Sequence, residues 1–116
     1  MDTLSPPYLI DIAFYINFLS KLNSEKAKKI VRFLNDYKGD NVYYDVTLSF
    51  ANENLIGRYA FLYDNTILAE AFVNLKMTEE AKKIVDSFLD SYSIYTYFNQ
   101  ARYALVLGEV YGLFAH

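Results

Sequence analysis

Carboxylates are the residues in this sequence that could work as a chemical pair. Two carboxyl groups set roughly 5 to 9.5 Å apart across a glycosidic bond can cleave it, and Asp45, Asp64 and Glu70 are the candidates. Each also has a structural use. Asp is a leading helix N-cap, so Asp64 is expected to cap a helix beginning near Asn65 and Asp45 to open another, while Glu70 falls on the polar side of its helical pattern. Nothing selects a catalytic pair. The 116 residues contain no Cys and a single His, His116, at the end. That excludes disulfides, thiolate metal sites and a multi-histidine site within one chain, and supports no Ser–His triad. None of the 4 glycines sits in a phosphate-cradling pattern. The chain is therefore read as non-catalytic, without a cofactor or metal.

The other chemically distinctive residues are aromatic: 12 Tyr and 9 Phe with no Trp. A phenol combines an apolar ring with a polar tip and suits the rim of a core or an interface. Tyr43, Tyr92, Tyr95 and Tyr103 lie outside the expected core stripes. Tyr43 follows the first repeated helix and Tyr92 and Tyr95 follow the second, so repeat symmetry would bring them to one edge as a tyrosine-rich ledge. With Tyr111 and Phe114 from the last helix they form the candidate interaction surface. The alternative is that these rings seal the ends of the core.

The elements that must hold these residues are read from an internal repeat. Ser24-Glu25-Lys26-Ala27-Lys28-Lys29-Ile30-Val31 returns 54 positions later as Thr78-Glu79-Glu80-Ala81-Lys82-Lys83-Ile84-Val85, with six of eight residues identical. Ala27, Ile30, Val31 and Leu34, like Ala81, Ile84, Val85 and Phe88, follow the spacing that makes one helical stripe apolar. Ser24 and Thr78 stand where N-caps belong, and the following Glu residues suit the first turn. Upstream, Ile12, Tyr15, Ile16, Leu19 and Leu22 form one stripe and Ile67, Leu68, Ala71, Phe72 and Leu75 another. The short gaps predict two tight αα-hairpins. Downstream, Tyr44, Leu48, Ala51, Leu55, Tyr59 and Leu62 predict a third helix, and Tyr97, Ala101, Ala104, Leu105, Gly108 and Tyr111 its counterpart.

The fold class is thus all-α: one domain, 1–116, with about six helices in two three-helix repeats, approximately 8–62 and 63–116. The helices are placed at about 7–22, 24–37, 44–61, 64–75, 78–91 and 95–114, with Lys38-Gly39-Asp40-Asn41 as the longer turn. The rival is a short strand at Val42-Tyr43-Tyr44 or Ser93-Ile94-Tyr95-Thr96-Tyr97, residues that favour sheets.

Leu68-Ala69, Phe72, Ala81, Val85 and Phe88 resemble the core pattern of a tetratricopeptide unit, and Leu107-Gly108 followed by Tyr111 resembles the opening of another. The 54-residue period is longer than that family's 34. Tyr63-Asp64-Asn65, Leu68, Ala71, Glu80-Ala81-Lys82-Lys83-Ile84 and Phe88-Leu89 are similar to helical hairpins of α/α-toroid proteins, many of them glycoside hydrolases. A complete toroid holds about twice the helices expected here, so that likeness would imply a fragment, a half-toroid or a shared hairpin grammar.

Net charge is −3, and nucleic acid is not expected as the main partner, because such affinity rests on Lys and Arg. Lys26, Lys28, Lys29 and Arg32, with Lys82 and Lys83, could align as one basic stripe or be an ordinary solvated face. The N-terminus lacks the positive region of a secretory signal and no apolar run reaches the roughly 20 residues of a membrane helix, which makes a cytoplasmic protein the default. Gly57, Gly108 and Gly112 interrupt helical patterns. Gly108 and Gly112 share a face and suggest close approach to a helix of this chain or of a second copy. Two repeats are few for a stable array, and the last helix is apolar on several sides, which predicts a homodimer built on that helix. The leading function is a protein–protein interaction module. A carbohydrate-active toroid-related domain and a nucleic-acid-associated accessory protein are the alternatives.

Overall fold

A computed structural model describes residues 8–39, 41–43, 60–89 and 97–114. These form five helices: α1 (Leu9–Leu22), α2 (Ser24–Phe33), α3 (Leu62–Asn74), α4 (Thr78–Leu89) and α5 (Tyr97–Phe114). Between α2 and α3 the chain makes a 3₁₀ turn, Leu34–Tyr37, and a small antiparallel hairpin of β1 (Lys38–Gly39) and β2 (Val42–Tyr43). Lys38 pairs with Tyr43 and Gly39 with Val42. The fold is helical, as the periodicity requires. The helix expected over 44–61 lies outside the described residues, except for Ala60 and Phe61, which are not helical.

The helix starts correct the caps read from sequence. Asn23, not Ser24, caps α2: its Oδ1 accepts from Lys26 N at 3.2 Å and its carbonyl from Ala27 N at 3.0 Å. Asn caps as well as Ser and stands three residues before the first orphan amide it can reach. In α4 the Met77 carbonyl accepts from Ala81 N at 3.1 Å, so Thr78 is likewise already inside the helix. Nor does Asp64 cap α3, which begins at Leu62 and places Asp64, buried, in its first turn.

Between α3 and α4 the chain reverses with Lys76 in the left-handed region, φ 66°. Lys76 N donates to Val73 O at 3.1 Å and Met77 N to Phe72 O at 2.8 Å. These two bonds are the Schellman arrangement that satisfies the last carbonyls of a helix.

Helix α3 is the centre of the molecule and touches α1, α4 and α5. Ile67, Leu68, Ala69, Ala71 and Phe72 have no exposure at all, because neighbours on three sides cover this helix. Against it pack Leu9, Ala13, Ile16 and Leu19 of α1, Ala81, Ile84 and Val85 of α4, and Tyr103, Val106 and Val110 of α5. The stripe expected on α5 is corrected by this packing. Ala101, Ala104, Leu105, Gly108 and Tyr111 face outward, because a helix apolar on several sides offers two overlapping stripes and the larger Tyr103, Val106 and Val110 fill the core better.

Candidate functional site

Polar side chains gather in three places. The first is inside the core. Asn65, fully buried on α3, accepts through Oδ1 from Tyr43 N at 2.8 Å and donates through Nδ2 to Tyr43 O at 3.0 Å and to Phe61 O at 2.9 Å. Its amide thus stands in for a third strand beside β2. Burial and the negative charge of Glu80 push the Tyr43 phenol up to about 12. Lys38 bridges the same corner, 3.6 Å from Glu80 Oε2 and over the Tyr43 ring.

The second cluster joins α1, α3 and α5. Arg102 donates from Nη2 to Glu70 Oε1 and Oε2 at 3.2 and 3.0 Å and from Nε to Oε2 at 3.3 Å. Asn17 Nδ2 donates to the same carboxylate at 3.2 Å. Asn74 Nδ2 reaches Asn17 Oδ1 at 3.2 Å and Ser20 Oγ at 3.3 Å, and Ser20 donates to the Asn17 carbonyl at 2.6 Å. Glu70 is accordingly an acceptor held by an arginine and an amide, with its oxygens committed to tying three helices together. Charge-assisted bonds of this kind fix geometry more firmly than neutral ones.

The third lies at the surface between α4 and α5. Lys82 Nζ contacts Asp86 Oδ2 at 2.7 Å and sits 5.3 Å from the Tyr111 ring centroid and 5.8 Å from that of Phe114. The Tyr111 hydroxyl donates to Asp86 Oδ1. Partial burial would raise the Asp86 carboxyl, but the hydrogen bonds from Lys82 and Tyr111 and the lysine's charge outweigh it and hold the group below its usual range. The hydrogen bond to Asp86 raises both Lys82 and Tyr111.

The candidate interaction surface divides. Tyr111 and Phe114 are exposed on α5. Tyr43 and Tyr103 are each only 5% exposed, a correction to their placement outside the core. The Tyr43 ring packs tilted against Phe72, and the Tyr103 hydroxyl donates to the Val85 carbonyl at 2.6 Å, so each phenol brings an apolar ring inside while its polar atoms or backbone are served. Tyr92, Tyr95, Asp45, Gly57 and His116 lie outside the described residues. Sequence reasoning missed Asn65, Asn17 and Arg102. The polar triplet Asp64-Asn65-Thr66 at the head of an apolar run was the available signal for Asn65.

A Cβ built on Gly108 or Gly112 meets nothing within 4 Å. Close approach to a helix of the same chain is thereby corrected among the described residues. Leu105, on the same outward face, is 75% exposed. On α2, Lys26, Lys28, Lys29 and Arg32 are exposed, and none of them makes an ion pair among the described residues. No group of three or more His, Asp or Glu that could hold a metal ion occurs among the described residues, and no described helix is long and apolar enough to cross a membrane.

No known protein family, curated protein or solved structure matches this chain. The tetratricopeptide-like and toroid-like resemblances rest on the residues alone.

Proposed function

We propose that the chain is a non-catalytic helical interaction module that pairs with a second copy of itself through α5. The observation that carries this reading is the outward face of that helix. Ala101, Ala104, Leu105, Gly108 and Gly112 are exposed there, with Tyr111, Leu113 and Phe114 exposed at the helix end. Exposed large apolar residues beside two open glycines are what a close helix–helix contact uses, since a second backbone can approach where no Cβ intervenes. A two-fold axis across α5 would cover the patch on both copies at once.

The same reading takes the domain as two three-helix units, 8–62 and 63–116, related by the 54-residue offset. The paired hairpins α1–α2 and α3–α4 support it, as does the equivalence of Asn23 and Met77 as the residues whose carbonyls begin α2 and α4. Two units stack into a short array whose ends need cover, and a second copy supplies it.

Sedimentation velocity tests the pairing. The expected result is a dimer at tens of micromolar and a monomer for Leu105→Glu, which places a charge in the contact while leaving the core untouched. A wild-type monomer at that concentration would overturn the reading, as would a Leu105→Glu variant that still dimerises.

A further inference from the structure

Helices α2 and α4 share a core stripe but not a surface. At the 54-residue offset, Lys26 stands where α4 has Glu80, Arg32 where it has Asp86, and Phe33 where it has Ser87. On α4, Asp86 neutralises Lys82 at i, i+4. On α2 the corresponding pair is Lys28 and Arg32, two like charges one turn apart, an arrangement that disfavours the helix. The four cations of α2 against one acid, Glu25, leave that helix at +3 (4 − 1), whereas residues 78–87 carry two cations and three acids, −1 (2 − 3). The chain's overall negative charge hides this asymmetry.

Aromatic rings lie among these cations. Phe33 is 72% exposed and Tyr15, on the adjoining side of α1, is 47% exposed. Lys26 Nζ sits 6.0 Å from the Tyr15 ring centroid. Lys26, Lys29 and Phe33 fall at i, i+3 and i+7 and so share one face of α2.

We propose that this face of the α1–α2 hairpin binds single-stranded nucleic acid, with phosphates on Lys26, Lys28, Lys29 and Arg32 and unpaired bases stacked on Tyr15 and Phe33. Alternating cations and open rings is the pattern by which proteins hold single strands without reading sequence. A duplex would meet the cations but leave the rings idle. An anionic membrane calls instead for an apolar keel segregated from a basic face; on α2 Phe33 lies in one row with Lys26 and Lys29, whereas Phe18 and Leu22 of α1 are exposed beside Tyr15, which makes vesicle binding the competing outcome of the test. The surface shares no residue with the outward face of α5.

Fluorescence polarisation with labelled oligo(dT) and oligo(U) of about 20 nucleotides, longer than one site, tests the proposal. The expected result is saturable binding whose log affinity falls with log salt at a slope of about −3, four cations each contributing about −0.7. The two oligomers distinguish DNA from RNA, and binding of either supports the proposal. The triple variant Lys28→Gln, Lys29→Gln, Arg32→Gln should weaken binding by about tenfold or more and flatten the slope by about 2. Tyr15→Ala with Phe33→Ala should weaken it by about tenfold with the slope retained, since stacking carries no counterions. All five substituted side chains are exposed, and unchanged circular dichroism melts confirm that the variants fold. The proposal is overturned by the absence of oligomer binding, by equal affinity for duplex of the same length, by indifference to either variant, or by binding of phosphatidylserine vesicles in place of oligomers.

Discussion

Asn65 holds the Tyr43 peptide from both sides, its Oδ1 accepting from Tyr43 N at 2.8 Å and its Nδ2 donating to Tyr43 O at 3.0 Å. One side-chain amide thereby docks the β1–β2 hairpin on the central helix. Because Asn65 is fully buried, removing its side chain orphans the Tyr43 N–H and carbonyl, which water reaches poorly, while the Phe61 carbonyl keeps the backbone N–H of residue 65. Asn65→Ala should cost about 3 kcal/mol in urea unfolding, and amide exchange at Tyr43 should accelerate more than exchange in α1. Asn65→Asp should cost at least as much at neutral pH, since a carboxylate oxygen would then face the Tyr43 and Phe61 carbonyls.

The buried Tyr43 phenol makes the same corner sensitive to alkali. Its folded-state value is raised to about 12, so the protonated ring contributes stability that is complete below the unfolded value and is lost as pH rises through the folded one. The window is about pH 10 to about pH 12, and the loss from this group is about 3 kcal/mol. Unfolding measured at both ends of that window should show Tyr43→Phe losing less stability than the wild type. An equal loss in the two proteins would mean that Tyr43 is not the responsive group.

How much of this was legible in the sequence depended on how polar each helix is. On α2 and α4 the charged faces left one possible apolar stripe, and the structure buries Ala27, Leu34, Ala81, Ile84 and Val85 where periodicity placed them. The α3 stripe, Ile67, Leu68, Ala71, Phe72 and Leu75, is buried too. On α1 and α5 nearly every face is apolar and periodicity loses its discrimination. Tyr15 and Leu22 therefore came out exposed, and on α5 the expected stripe faces away from the core. The polar contacts were illegible for another reason: Asn65 with Tyr43 and Arg102 with Glu70 are 22 and 32 residues apart, and such pairings exist only once α3 is in place.

At Lys76 the turn imposes a left-handed backbone, φ 66°, on a residue with a side chain. Such a conformation costs an L-residue about 1 kcal/mol that glycine escapes. Lys76→Gly should therefore stabilise the fold by up to about 1 kcal/mol, read as a higher urea midpoint with an unchanged slope. A lower midpoint would show that the Lys76 side chain contributes more to the turn than its backbone strain costs.

Gly108 places folding and association in opposition. It lies inside α5 with open space where a Cβ would stand, so nothing in the fold of one chain requires glycine there, and its entropy costs the helix about 0.5–1 kcal/mol relative to Ala. Gly108→Ala should raise the stability of the dilute monomer by about that amount in denaturant titration. If α5 pairs with a second copy at the closest backbone approach, the added methyl must enter that contact, and the same substitution should weaken dimerisation in sedimentation velocity. A gain in folding stability with dimerisation weakened points to the glycine face as the contact. A gain in both would move the contact elsewhere on α5, toward Leu105 and Phe114, and a loss of folding stability would mean that the space beside Gly108 is filled.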